Sequence, residues 1–192
     1  MRFSAVVRLL LLMVALAAAS VGLATPALAD HSSVVHLDGG RTSLTVDRGT
    51  LKVLTDNDVS VTPVRGASAT GRTFSFPITG GAVDAKTLAG KIEHSGGLQF
   101  AAGGKKLTVV EFIIDTKKSV LTARVAGTKT RVPLLKLDLG KAHIERGDGH
   151  VVVRNVRASL TSEAASALNK TFDVKLFKKG LAVGTAKVTA RF

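Results

Sequence analysis

Along most of this chain apolar side chains recur at every second position, in short runs set apart by glycine-rich polar turns. A strand sends alternate side chains to opposite faces, so this rhythm specifies half-buried strands and is wrong for helices. Residues 73–78 place Phe74, Phe76 and Ile78 on one face, and residues 107–114 are apolar on both. Residues 120–125, 132–139, 151–160 and 184–192 read as further strands. The stretches GASATG, TGG, AAGGKK, DTKKS, AGTKT, RGDG and KKG supply the turns between them. Many short strands with such turns predict a mostly β protein, an antiparallel β-sandwich or barrel-like sheet with two short α-helices.

One helix is read from LTSEAASALNKTF, with Thr161 or Ser162 as N-cap, Glu163 in the first turn where the helix dipole favours it, and Asn169 as the stop. The other lies in SLTVDRGTLKVLTDNDVSV. This segment shares Ser-Leu-Thr with residues 159–161, carries Leu54 where the later segment has Leu168, and ends in an alternating stretch with Val59 and Val61, as the later one does with Val174 and Leu176. Both segments therefore read as strand, short helix, strand.

The first residues obey a different rule. Arg2 and Arg8 precede an apolar run that ends in ATPALAD, with small residues Ala27 and Ala29 at signal-peptidase spacing. Residues 1–29 read as a secretory signal peptide cut after Ala29, and residues 30–192 as a single domain. No second long apolar run follows, so no transmembrane anchor is expected in the mature chain, and no sorting motif or lipobox cysteine marks a covalent one. The final KVTARF reads as a terminal strand open to pairing with another chain.

Beyond the leader there is no Met, Cys, Tyr or Trp. Disulfides, thiolate metal sites, thiol nucleophiles and tyrosinate ligands are thereby excluded. No hydrolase, zincin, P-loop or dinucleotide motif is present, and Ser95 beside His94 points to the opposite face of a strand, so no catalytic residue is assigned and no enzyme is expected. Removing Arg2 and Arg8 from a chain of net charge +13 leaves +11. That surface attracts anions, among them cell-wall polymers, but no aromatic stacking platform or nucleic-acid motif accompanies it, so no nucleic-acid partner is expected.

The five histidines are then the remaining conventional metal or haem-iron ligands. His31 sits at the cut terminus, and His36 lies on or just before the first strand. His143 and His150, with Glu145 and Asp148, flank a hairpin turn that reads as solvated, so no metal site is assigned. In KIEHSGGLQF the two-residue period puts His94 on a face with Ile92, Leu98 and Phe100, beside Gly96 and Gly97. His94 is either a buried histidine satisfied by a backbone group or a residue facing a ligand, with Gly96 and Gly97 either turning the chain or clearing room. Phe74, Phe76, Phe100 and Phe112 are either ordinary core or the walls of an apolar slot.

The run ITGGAVDAKTLAGKIEHSGGLQF, followed by KLTVVEFIID and VLTARV, resembles the haem-transport-associated (HtaA) domain of secreted and cell-surface actinobacterial proteins. The resemblance implies a mostly β domain with two short helices and a role in capturing haem outside the cell. In that family a tyrosine near the domain start holds the iron and the histidine matched by His94 supports it; the tyrosine has no counterpart here. The resemblance thus implies haem or a related porphyrin as cofactor; with the tyrosine missing, one reading is that His94, with Gly96 and Gly97 beside it, or His36 has taken over as axial ligand. The alternative is a branch that kept the fold and serves as a structural module held to anionic cell-wall polymers by its basic surface.

Overall fold

The alternating stretches form strands in the computed structural model, which describes residues 33–192. The expected leader 1–29, its cleavage after Ala29, and His31 lie outside the described residues. In chain order the elements are β1 (Val34–His36), β2 (Gly39–Val46), α1 (Arg48–Asp56), β3 (Ser60–Val64), β4 (Ser68–Thr70), β5 (Thr73–Asp84), β6 (Gly90–His94) and β7 (Gly97–Ala102). They continue with β8 (Lys105–Asp115), β9 (Val120–Val125), β10 (Arg131–Asp138), β11 (His143–Gly147), β12 (His150–Leu160), α2 (Ser162–Phe172) and β13 (Ala182–Arg191). Every pairing is antiparallel. Following the ladders gives β5–β2–β13–β12–β10–β9–β8–β6 and back to β5, so the mostly β fold is a closed eight-strand barrel with extra strands and two helices. An eight-strand barrel is just wide enough for side chains to fill it or to hold one small ligand.

The ring is not closed along its whole length. β6 pairs with the later part of β5, at residues 78–83, and with the end of β8, at residues 113–115. Past His94 the same strand resumes as β7, still on β8, but its other neighbour is now β3. At this change of partner Glu111 drops out of the ladders to β7 and β9, at φ +55, and Gly96 takes φ +87. Two bulges facing each other bend the sheet outward, so one half of the barrel splays open, and α1 and α2 lie over that half.

The helices are attached differently. In α2 the Thr161 hydroxyl accepts from the Ala164 amide at 3.1 Å, and Ala164, Ala165, Leu168 and Phe172 are buried. In α1 the N-cap Asp47 makes no side-chain bond and Thr50 is the buried residue, its hydroxyl donating to the Ala182 carbonyl.

Four local expectations change. Asn169 does not stop α2; the helix runs on to Phe172, and Asp173 ends it in the left-handed region at φ 56. Asn169 instead fixes the next segment, its amide donating to the Phe177 carbonyl at 2.8 Å and its oxygen accepting from the Phe177 amide at 3.0 Å. Residues 174–176 consequently follow an irregular path and not a strand. TGG lies inside β5, because Gly81, at φ +115, lets the β6 backbone come closer than any side chain would allow. The terminal stretch is not an exposed edge either, since β13 is paired on both sides, with β12 and β2.

Candidate functional site

Two polar residues interrupt apolar inward faces. On β2, Thr42 shares its face with Leu44 and Val46; on β6, His94 follows Ile92. Both are 4 % exposed, and they meet: Thr42 Oγ1 and His94 Nε2 are 2.7 Å apart, while His94 Nδ1 lies 3.1 Å from the Phe112 carbonyl oxygen. A carbonyl only accepts, so Nδ1 carries the proton and donates, leaving Nε2 to accept from the Thr42 hydroxyl. The ring ties β6 to β8 and, across β5, to β2. Burial pushes its pKa down to about 4, outweighing the opposing pull of the Phe112 carbonyl, and the ring is neutral at neutral pH.

This clamp stands between two apolar cavities. Thr42 lines one of about 80 Å³ in the closed half of the barrel. Phe112 lines the other, of about 170 Å³, in the splayed half, whose surface is apolar throughout. Phe74, Phe76, Phe100 and Phe112 all face this larger cavity, with Phe76 and Phe112 in edge-to-face contact at 4.9 Å between ring centroids. Leu51 and Leu54 of α1, Ala164 and Leu168 of α2, and Phe177 cover it.

The residues singled out in the sequence are not gathered into one place. His94 is inside the barrel and belongs to the lining of neither cavity. His36 is exposed on β1, opposite Ala82, in a shallow surface depression with Lys91, Glu93 and Asp115. The space at Gly96 and Gly97 is taken by the chain itself: a Cβ on Gly96 would sit 2.8 Å from the Ala67 nitrogen, and one on Gly97 would strike the Val109 carbonyl. His143 and His150 are exposed on the β11–β12 hairpin, where Glu145 pairs with Arg154 at 2.8 Å and His150 Nδ1 donates to the Asp148 carbonyl. Among the described residues no group of three or more His, Asp or Glu is placed to hold a metal ion. Thr42 was missed in the sequence; its signal is that it breaks the apolar face of RTSLTV as His94 breaks that of KIEHSGG.

Elsewhere on the surface, the Arg124 side chain bonds Glu111 and holds its carboxyl below the usual range, with Arg131 adding to the effect. No helix among the described residues is long and apolar enough to cross a membrane.

The model of the Htaa family matches residues 54–175. No curated protein matches. Among solved structures, the C-terminal domain of HtaA from Corynebacterium glutamicum is similar at 16% identity, covering 83% of this chain and 99% of that one, with a TM-score of 0.64. The N-terminal domain of the same protein is similar at 14% identity over 81% of this chain and 98% of that one, with a TM-score of 0.51. The heme-binding protein HtaB of that organism aligns at 13% identity over 83% and 96% of the two chains, with a TM-score of 0.49.

Proposed function

This chain belongs to the Htaa family, a family of haem-binding modules, and on that premise we propose that it is a secreted, non-enzymatic module that binds haem or a related porphyrin. In this reading residues 30–192 are the mature domain, released after loss of 1–29. The observation that carries it is the larger cavity, apolar throughout, walled by four phenylalanines and covered by two helices. A flat apolar ring fits that chemistry. At about 170 Å³ the cavity is smaller than the roughly 300 Å³ at which ligand pockets begin, so the ring enters as a cover element lifts. That element is α1, which lacks both the side-chain cap and the buried apolar row of α2.

The described residues do not fit a protein-ligated iron. His94 has both nitrogens engaged, His36, His143 and His150 are on the outer surface, and the cavity lining contains no metal ligand. His94 is assigned here to the support of the cavity, through Thr42 and Phe112, and Gly96 and Gly97 to the bend beside it.

The test is a hemin titration of residues 30–192, followed at the Soret band. A saturable shift is expected, and Ala167→Trp, which adds a large side chain at an exposed position on the cavity rim, weakens binding at least tenfold. Absence of any shift with stoichiometric hemin would sink the haem reading. A second reading, attachment to anionic wall polymers, is favoured by Arg41, Arg157 and Lys187, exposed on the outer faces of β2, β12 and β13.

A further inference from the structure

The exposed large apolar side chains among the described residues, Val34, Leu139, Ile144 and Phe192, are between 40 % and 58 % exposed, and all four stand at one end of the barrel. It is the end away from the helices: α1 follows β2 and α2 follows β12, whereas these side chains lie by β1, the start of β12 and the ends of β10 and β13. We propose that this end docks on an anionic lipid surface, with the apolar side chains entering the headgroup boundary and lysines of the same turns meeting the lipid phosphates. Neither the larger cavity nor a bound porphyrin takes part.

A chain of contacts gathers the four. Val34 pairs with Asp84 where β5 ends, and the Ala85 amide of the following turn donates to the Ser33 carbonyl. Arg146 on β11 crosses to that turn and donates to the Ala85 and Lys86 carbonyls at 2.9 and 2.7 Å. Ile144 points to the same side of β11 as Arg146, opposite Val153, and stays half exposed because β11 is paired on one edge only, with β12. Phe192 donates its amide to Gly149 in the turn of this hairpin, and Leu139 opens the short loop that leads into it. The β8–β9 turn adjoins both sides: the Leu137 amide donates to Ser119, and the Thr116 hydroxyl donates to the Leu88 carbonyl at 2.7 Å.

These turns present positive charge. Lys117 and Lys118 on the β8–β9 turn and Lys141 in the loop after Leu139 are exposed, and none is ion-paired among the described residues. The carboxylates of Asp84, Asp115 and Asp138 accept from amides of their own turns, and Glu145 pairs with Arg154. Lysine side chains reach further out than these short carboxylates, so an approaching surface meets the ammonium groups first. Aliphatic tips set among lysines suit lipid better than protein, because protein interfaces are depleted in lysine and draw their energy from buried Trp, Tyr and Arg. Trp and Tyr are absent from the chain, and Arg146 is committed to the β5–β6 turn. At an anionic membrane each nearby lysine adds about fivefold in affinity.

Cosedimentation of residues 30–192 with lipid vesicles at about 0.1 M salt reads the docking directly. The expected result is binding to vesicles containing phosphatidylglycerol and at least tenfold weaker binding to phosphatidylcholine alone. Ile144→Asp, and separately Lys117→Glu with Lys118→Glu, each weaken binding at least tenfold at an unchanged Tm, since all three residues are exposed. Arg41→Glu with Lys187→Glu, on the outer wall of the barrel, leaves it within about twofold. Anionic-vesicle binding that Ile144→Asp does not change, or that the Arg41 and Lys187 pair abolishes, would overturn the docking of this end, as would binding to neither vesicle. Self-association that Ile144→Asp abolishes, without vesicle binding, would assign this end to a second copy of the chain instead.

Discussion

His94 shows how a single buried titratable group sets a condition on the whole fold. Its ring titrates near 6.5 when unfolded and about 4 when folded, so between those values the unfolded chain holds a proton that the folded chain refuses. Stability is therefore fully present above pH 6.5 and falls as the pH drops towards 4, by up to roughly 3 kcal/mol from this residue. Urea unfolding at pH 7 and pH 4.5 should show that decline; an unchanged midpoint would mean the ring is not buried neutral. Thr42→Val, which strands Nε2 without a donor, should cost about 1–3 kcal/mol at pH 7 in the same assay. The sequence showed that His94 lies on an apolar face, because the two-residue period needs only neighbours. It left open whether that face is packed or meets a ligand, since the deciding partner is 52 positions away on β2.

At the level of elements, attachment distinguishes the two helices more than helical propensity does. The capped and buried α2 should protect its amides from hydrogen exchange far longer than α1, and porphyrin should change protection in α1 more than in any other element. Equal protection in the two helices would contradict the role of α1 as the moving cover. Thr161→Ala should cost about 1 kcal/mol in unfolding measurements, the usual loss for a side-chain cap. Local patterns revealed that these elements exist: alternation gave the long strands, and the repeated Ser-Leu-Thr segments located both helices. Their limits were not legible where tertiary bonds intervene. Asn169 resembled a stop signal, yet its amide is spent on Phe177, eight residues further on, and the helix continues past it. Gly80 and Gly81 resembled a turn, yet Gly81 lets β6 approach a strand that does not break.

For the molecule as a whole, alternation predicted an antiparallel sheet and left sandwich and barrel equally open. The choice lies in long-range pairings, β6 with both β5 and β8 and β13 between β12 and β2, which no short window contains. The surface charge was legible from composition, and its arrangement was not. If Arg41, Arg157 and Lys187 bind anionic polymers, the protein should cosediment with purified cell wall at low ionic strength and be released by about 0.5 M salt, where the Debye length has shrunk to a few ångströms. Sedimentation that ignores salt, or none at all, would count against that attachment.

The position of β13 also fixes when the barrel can form. Residues 182–191 are the last strand in sequence, yet they are the staple joining β12 to the early strand β2. Loop closure over such a separation is slow and comes late. A chain leaving a ribosome or a translocation pore N-terminus first therefore remains an unlatched sheet, competent for threading, until Arg191 has emerged.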